Sequence, residues 1–172
     1  MATPFSVIYD DFWARTTDDM YLEWTEMDTM KDLQSILLVA IPRFEFPRVD
    51  IFDYTLGSIE IDENGDYKWV GGEFAADLNR EEINILSLSM MVEWFGRQLA
   101  TTDLTRTKYS GSDFKFTSQA NHMAKLKVLQ DSYRQECFHL QRLYKRRKRT
   151  EEGQIQSTIG QIMSTPQYGW KI

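Results

Sequence analysis

The hydrophobic positions of this chain change their period several times, and each change marks an element. Leu126, Leu129, Tyr133, Cys137, Leu140 and Tyr144 recur at steps of three or four. That is the spacing of one helix face, and it predicts a helix from about Ser118 to Arg149, with Thr117 or Ser118 as its cap. Such a rod is roughly 48 Å long at 1.5 Å per residue, more than a domain of this size needs for its own core. Ile83, Leu86, Met90, Met91, Trp94, Phe95 and Leu99 keep the same spacing to about Ala100. This second helix opens at Asn79 with Glu82 three residues on, a variant of the capping box, and Leu78 with Ile83 forms a hydrophobic staple. A third helix runs from about Thr29 through Met30, Leu33, Ile36, Leu37, Ala40 and Ile41; Asp28 or Thr29 caps it, and Pro42 stops or kinks it. Val7, Ile8, Phe12 and Trp13 predict a short helix over about 6–15.

Between these periodic stretches the pattern is of other kinds. Residues 16–28 mix acids with Tyr21, Leu22 and Trp24, as an ordered connection pinned by aromatics would. Pro47 disfavours helix at Phe46, and Phe44, Phe46, Val49, Ile51 and Phe52 read as extended chain. Residues 58–62 and 66–70 alternate apolar and polar positions around Glu63, Asn64 and Gly65, a β-hairpin over about 58–70. A two-residue turn would set Glu63 against Asp66. A three-residue loop with Gly65 in the left-handed conformation pairs Ile61 with Tyr67, Ile59 with Trp69 and Glu60 with Lys68, and places all four apolar side chains on one face. The second register is the expected one. Residues 101–117 read as a polar connection with Phe114 and Phe116 as pins. Beyond Arg149 the chain holds apolar residues without continuous periodicity, as an arm that orders against a partner would. The expected fold is therefore mainly α: a bundle of three to four helices with one inserted hairpin in residues 1–149, and an extended C-terminal arm over 150–172.

Composition adds bounds to this pattern. One domain is the default for 172 residues, and five Trp, eight Tyr and ten Phe supply a substantial core. One Cys and two His leave no disulfide framework and no Cys/His zinc cluster, so a reducing compartment or indifference to redox is expected. No secretory signal opens the sequence, and the longest aliphatic run, Ile36 to Ile41, is far too short for a membrane span, so a product soluble in the cell is expected. Charge is divided along the chain. Residues 1–82 hold 19 acids and six bases, residues 83–172 seven acids and 14 bases: −13 and +7 within a net −6. A split of this kind is either a solvated accident or a device for head-to-tail stacking, acidic half against basic half. The overall acidity argues against tight duplex binding, whose affinity grows with basic contacts.

No catalytic constellation stands out. His122 and His139 lie roughly 25 Å apart on one predicted helix and cannot share a metal or a proton. Cys137 belongs with the apolar stripe as a small hydrophobe. The acid pairs Asp10/Asp11, Asp18/Asp19 and Glu81/Glu82 are neighbours in sequence that point different ways, unlike a glycosidase pair converging on one cleft. Asp62 to Asp66 has its Gly too early for an EF-hand loop, and Gly71-Gly72 opens no phosphate-binding loop. No cofactor, no metal and no enzymatic activity are expected. The sharpest charge feature is the run Lys145, Arg146, Arg147, Lys148 and Arg149. It faces DNA, a neighbouring subunit or solvent; a solvated helix end or a protein partner accounts for it better than DNA, because no nucleic-acid-binding motif accompanies it.

Two stretches resemble a known family. Leu78-Asn79-Arg80-Glu81-Glu82-Ile83-Asn84-Ile85-Leu86, followed by Met91-Val92-Glu93-Trp94-Phe95-Gly96-Arg97-Gln98, is similar to a helix of the neck proteins of long-tailed bacteriophages. Asp113-Phe114-Lys115-Phe116-Thr117-Ser118-Gln119-Ala120-Asn121-His122 resembles the opening of their last long helix. The resemblance covers roughly residues 8–148; the arm and the full basic run fall outside it. It implies a head–tail connector or adaptor in the virion, without enzymatic activity, that assembles in the host cytoplasm as a homo-oligomeric ring around the DNA exit channel. Its implied partners are the portal protein, adjoining neck or tail proteins and, non-specifically, the double-stranded DNA in the channel, with no membrane. On this reading the hairpin tip (Glu63, Asn64, Gly65) touches a neighbouring copy or ring, and Ile155, Ile159, Tyr168 and Trp170 anchor the arm on another subunit. The alternative is an intracellular nucleic-acid-associated regulator using residues 145–149.

Overall fold

The computed structural model describes residues 2–16, 21, 23–62, 65–108, 116–149 and 155–157; for 102–108, 116–120, 148–149 and 155–157 it describes the backbone alone. Four α-helices are present among these residues: α1 (Phe5–Trp13), α2 (Glu26–Ala40), α3 (Arg80–Lys108) and α4 (Phe116–Arg146). The strands are short: β1 (Thr3–Pro4), β2 (Tyr54–Thr55), β3 (Ser58–Ile61), β4 (Tyr67–Val70), β5 (Glu73–Phe74), β6 (Arg147–Arg149) and β7 (Ile155–Ser157). The protein is mainly helical with a small amount of antiparallel sheet, the class expected from the sequence.

Helix α3 is the axis of the bundle, because α1, α2 and α4 all pack on it. Its start is held as the capping box requires. The Asn79 side chain accepts from the Glu81 and Glu82 amides (2.9 and 3.1 Å), and the Glu82 carboxyl accepts from the Asn79 amide (2.8 Å). From there to Phe95 the expected apolar stripe is buried, and so are Ile85, Ser87, Leu88, Ser89 and Val92 on its other sides. Of the two serines there, Ser89 donates its hydroxyl back to the Ile85 carbonyl (2.9 Å), whereas the buried Ser87 hydroxyl has no partner among the described residues. Around this axis α1 contributes Phe5, Ile8, Tyr9 and Phe12, and α2 contributes Leu33, Ile36, Leu37 and Ala40. Phe44, Ile51 and Phe74 close the core from the connecting segments.

Past Phe95 the packing thins. Gly96 to Leu99 are half-buried, Ala100 is exposed, and no residue of α4 from Asn121 to Glu136 is buried. The distal part of α3 and the first half of α4 therefore project from the core as a pair of helices. At Gly96 the Gln130 side chain comes within 3.0 Å of where a Cβ would stand, and its amide donates to the Val92 carbonyl (3.2 Å). At 31 residues, α4 is about 46 Å long.

The hairpin β3–β4 has the register of the three-residue loop: Ile61 opposite Tyr67, Glu60 opposite Lys68, Ile59 opposite Trp69, with Gly65 at φ 86°. Beside it β1, β5 and β2 form a three-stranded antiparallel sheet in that order, which the sequence pattern did not reveal. It forms where Gly72 brings backbones together: a Cβ there would stand 2.5 Å from the Thr55 carbonyl and 2.7 Å from the Phe5 ring.

Several boundaries differ from expectation: α1 is Phe5–Trp13 rather than 6–15, and α4 already includes Phe116, so neither Thr117 nor Ser118 is its cap, while Phe114 lies outside the described residues. Helix α2 begins at Glu26, because Thr25 is its cap: the hydroxyl accepts from the Asp28 amide (3.2 Å) and also bonds the Asp28 carboxyl (2.7 Å). Helix α3 continues to Lys108, so the first half of the expected 101–117 connection is helical. Helix α4 ends at Arg146, and Arg147–Arg149 turn into β6. The expected structureless arm also changes at one point, since Ile155–Ser157 (β7) pairs antiparallel with β6 within the chain, Arg149 opposite Ile155.

The far end of α4 is tied to the start of α3 by one buried contact. The Tyr144 hydroxyl donates to the Glu82 carboxyl, which is 1 % exposed, and accepts from the Arg48 amide (3.1 Å). Tyr144→Phe leaves a buried carboxyl oxygen and the Arg48 amide short of a partner, at a cost of about 2–3 kcal/mol. In urea unfolding, a double-mutant cycle with Glu82→Ala returns a coupling of about 1–3 kcal/mol. Additive effects would mean that the two side chains do not interact.

Candidate interaction surface

The basic run does not form one uniform patch. Lys145 and Arg146 close α4, and Arg147, Lys148 and Arg149 belong to β6. The Lys145 ammonium sits over the Phe46 ring (3.7 Å to its centre), covering part of an otherwise exposed aromatic. Arg147 is paired with Glu81 in the first turn of α3, so an acidic residue at a helix N-terminus takes up one of the five cations. Arg146 is also engaged within the chain. The side chains of Lys148 and Arg149 lie outside the described residues. The run's first role in the fold is to close α4 against α3 and the 44–48 segment.

That segment is held by side chains reaching across from α4. The Gln141 amide group donates to the Arg43 carbonyl and accepts from the Glu45 amide, both at 3.0 Å, as a neighbouring strand would. Arg48 stacks on the Tyr144 ring (4.1 Å) and donates to the carbonyls of Tyr144 and Arg147 at the end of the helix. A cation bonded to terminal carbonyls satisfies acceptors that the helix itself leaves open.

The hairpin is a surface of another kind. All four expected residues share one face, but they are not buried. Ile61 and Tyr67 are 66 % and 67 % exposed, Ile59 is exposed and Trp69 is half-buried. The base is anchored on α2, where Gln34 bonds the Gly57 amide (2.8 Å) and carbonyl (3.3 Å). Gly65 takes its place in the turn; Glu63 and Asn64 lie outside the described residues. Of the arm anchors, Ile155 is placed in β7 by its backbone, while Ile159, Tyr168 and Trp170 also lie outside. The projecting part of α4 exposes Val128 (68 %) and Leu129, and Phe138 (51 %) lies further along with the Arg142 guanidinium over its ring (5.1 Å).

Two acids prove structural: Asp11, from the adjacent pair with Asp10, and Asp32, which no sequence pattern singled out. Asp11 is buried between Arg15 and Arg80, and Asp32 accepts from Arg97 (2.9 Å) and from the Tyr21 hydroxyl (2.9 Å). Tyr21 stacks on Trp13 and meets Trp24 edge-on, the aromatic pinning expected there; residues 17–20 and Leu22 of the expected 16–28 connection lie outside the described residues. The spacing Asp11-x-x-x-Arg15 was the available signal for the first acid; nothing local pointed to the second. Among the described residues there is no group of three or more potential metal ligands, and no helix is long and apolar enough to cross a membrane.

Comparison of the chain with family models, curated proteins and solved structures gives no match.

Three phenols are raised out of the ordinary tyrosine range. Burial raises Tyr9, burial and then the Asp32 carboxylate raise Tyr21, and burial followed by the hydrogen bond to Glu82 raises Tyr144. The folded state thus favours their neutral form. Their contribution to stability is complete below the unfolded tyrosine value of about 10 and falls as pH rises above it. An absorbance titration should show exposed phenols ionising first, with these three following only as helical circular dichroism is lost. Ionisation of all tyrosines in one phase with helicity retained would contradict their burial.

Proposed function

We propose that this protein is a structural subunit of a bacteriophage neck: a head–tail connector or adaptor that forms a homo-oligomeric ring between portal and tail, around the DNA channel of the virion. The observation that carries the reading is a protomer with an uncovered apolar face on its hairpin, where Ile59, Ile61 and Tyr67 lie together and exposed. Exposed apolar surface of this kind marks a site of association. The two sequence stretches that resemble neck proteins supply the class. The first opens α3, and the described part of the second, from Phe116, opens α4. No catalytic role is assigned to any residue.

The partners on this reading are further copies of the chain, the portal protein, adjoining neck or tail proteins and, non-specifically, the passing duplex. The opposite charges of the two halves of the chain suit head-to-tail contacts around a ring, which are heterologous by symmetry. A regulator that binds nucleic acid through residues 145–149 has less support, since Lys145 and Arg147 are engaged with Phe46 and Glu81.

Deleting residues 150–172 tests the arm. The truncated chain should keep its helical circular dichroism, because the core of the described residues lies within 3–144, yet fail to form rings or to co-sediment with DNA-filled heads. If it still assembles or attaches, the arm is not the assembly element. If the full-length chain does neither, the connector reading fails.

A further inference from the structure

Beside Phe138, between α3, α4 and the segment after α2, lies a recess of about 160 Å³. Its buried lining includes Ser89, Val92 and Cys137; Arg43, Arg134 and Phe138 are exposed around it, and Glu45 adds one carboxyl. A cavity on the order of 150 Å³ holds one benzene ring. The space therefore suits a single aromatic side chain, and positive charge lies on its outer side: Arg134 lines it and Arg142 covers the Phe138 ring, while Arg43 is paired with Glu93 (2.5 Å).

The same chain carries a knob of matching size and opposite charge. Tyr67 stands on the hairpin with two-thirds of its surface exposed, paired with an equally exposed Ile61. Around them are Glu60, Asp62 and Asp66, against one base, Lys68. A short hairpin with an exposed apolar face is marginal in water unless something covers that face.

We infer that the hairpin of one copy docks on the α3–α4 recess of the next, with Tyr67 filling the recess and the hairpin carboxyls facing Arg134 and Arg142. The inference rests on the reading of the protein as a self-assembling ring subunit and names the two surfaces that meet. The occupant is a second copy because acidic knob and basic socket are present on one chain, and Tyr67 stays exposed within its own protomer. The contact joins two different surfaces, so each bound copy leaves one of each free and the assembly continues until it closes. A buried aromatic at the centre of a charged rim is the arrangement in which a few residues carry most of an interface's energy.

The test uses two full-length variants altered only at exposed positions: a knob variant, Tyr67→Asp, and a socket variant, Arg134→Glu with Phe138→Asp. Circular dichroism verifies that both keep the wild-type helicity. In sedimentation velocity at low salt the wild type should self-associate, and each variant alone should do so about 30-fold more weakly or worse. An equimolar mixture should give one-to-one dimers and nothing larger, because only the intact knob of the socket variant and the intact socket of the knob variant can meet. Either variant retaining wild-type assembly overturns the pairing, as does a mixture that stays monomeric, or a wild type monomeric at high concentration. Rings seen on particles despite such a result would leave the connector reading standing and remove only this contact.

Discussion

The buried carboxyl of Glu82 is the point on which the two long helices depend. It accepts from the Asn79 amide and so starts α3, and it accepts from the Tyr144 hydroxyl and so fixes the end of α4 beside that start. A buried acid needs its hydrogen-bonding capacity met, and here two partners far apart in sequence meet it. Because Tyr144 also receives the Arg48 amide, the same group sets the segment that follows α2. With this end fixed, Gln141, Cys137 and Tyr133 follow along one face of α4 and meet the 43–45 backbone, Ser89 and Phe95 in turn. The projection of the distal helices follows from helices longer than the core, clamped at one end.

Local rules carried well in the sequence where both partners lie within a few residues. The hairpin register followed from avoiding Glu63 against Asp66 and from gathering four apolar side chains on one face, and Glu60 does stand opposite Lys68. Asn79 with Glu82 announced the start of α3 for the same reason. The start of α2 was placed too late because Thr25 caps it from within an acidic, aromatic stretch whose periodicity begins only at Met30. The end of α4 was placed too late because Arg and Lys are good helix formers, and nothing local in the run Lys145 to Arg149 says stop. The turn into β6 accompanies pairing with β7, and Arg48 takes up the terminal carbonyls from almost 100 residues away.

Burial was legible on only one side. The apolar stripe of α3 was plain, but Ile85, Leu88 and Ser89 are also buried because three helices surround this one. The weight of the fold therefore rests on α3, although the longer periodic stretch belongs to α4. Conversely, the apolar face of the hairpin was correctly gathered and yet is uncovered in the protomer. Amphipathic pattern reports that a face is apolar; it does not say whether the cover comes from the same chain. The basic run changed meaning in a similar way. As a sequence it invited a nucleic-acid partner, and as a structure it is partly spent on Phe46 and Glu81. Among the described residues, the acidic hairpin and the outer side of α4 keep exposed apolar side chains.

The central claim is that these surfaces assemble the protein into a ring. Negative-stain electron microscopy of the purified full-length protein, alone and mixed with DNA-filled heads, tests it most directly. The account predicts closed rings with a central hole, free in solution or seated at the portal vertex of the heads. Uniform monomers in both preparations, with no added density at the vertex, would contradict it.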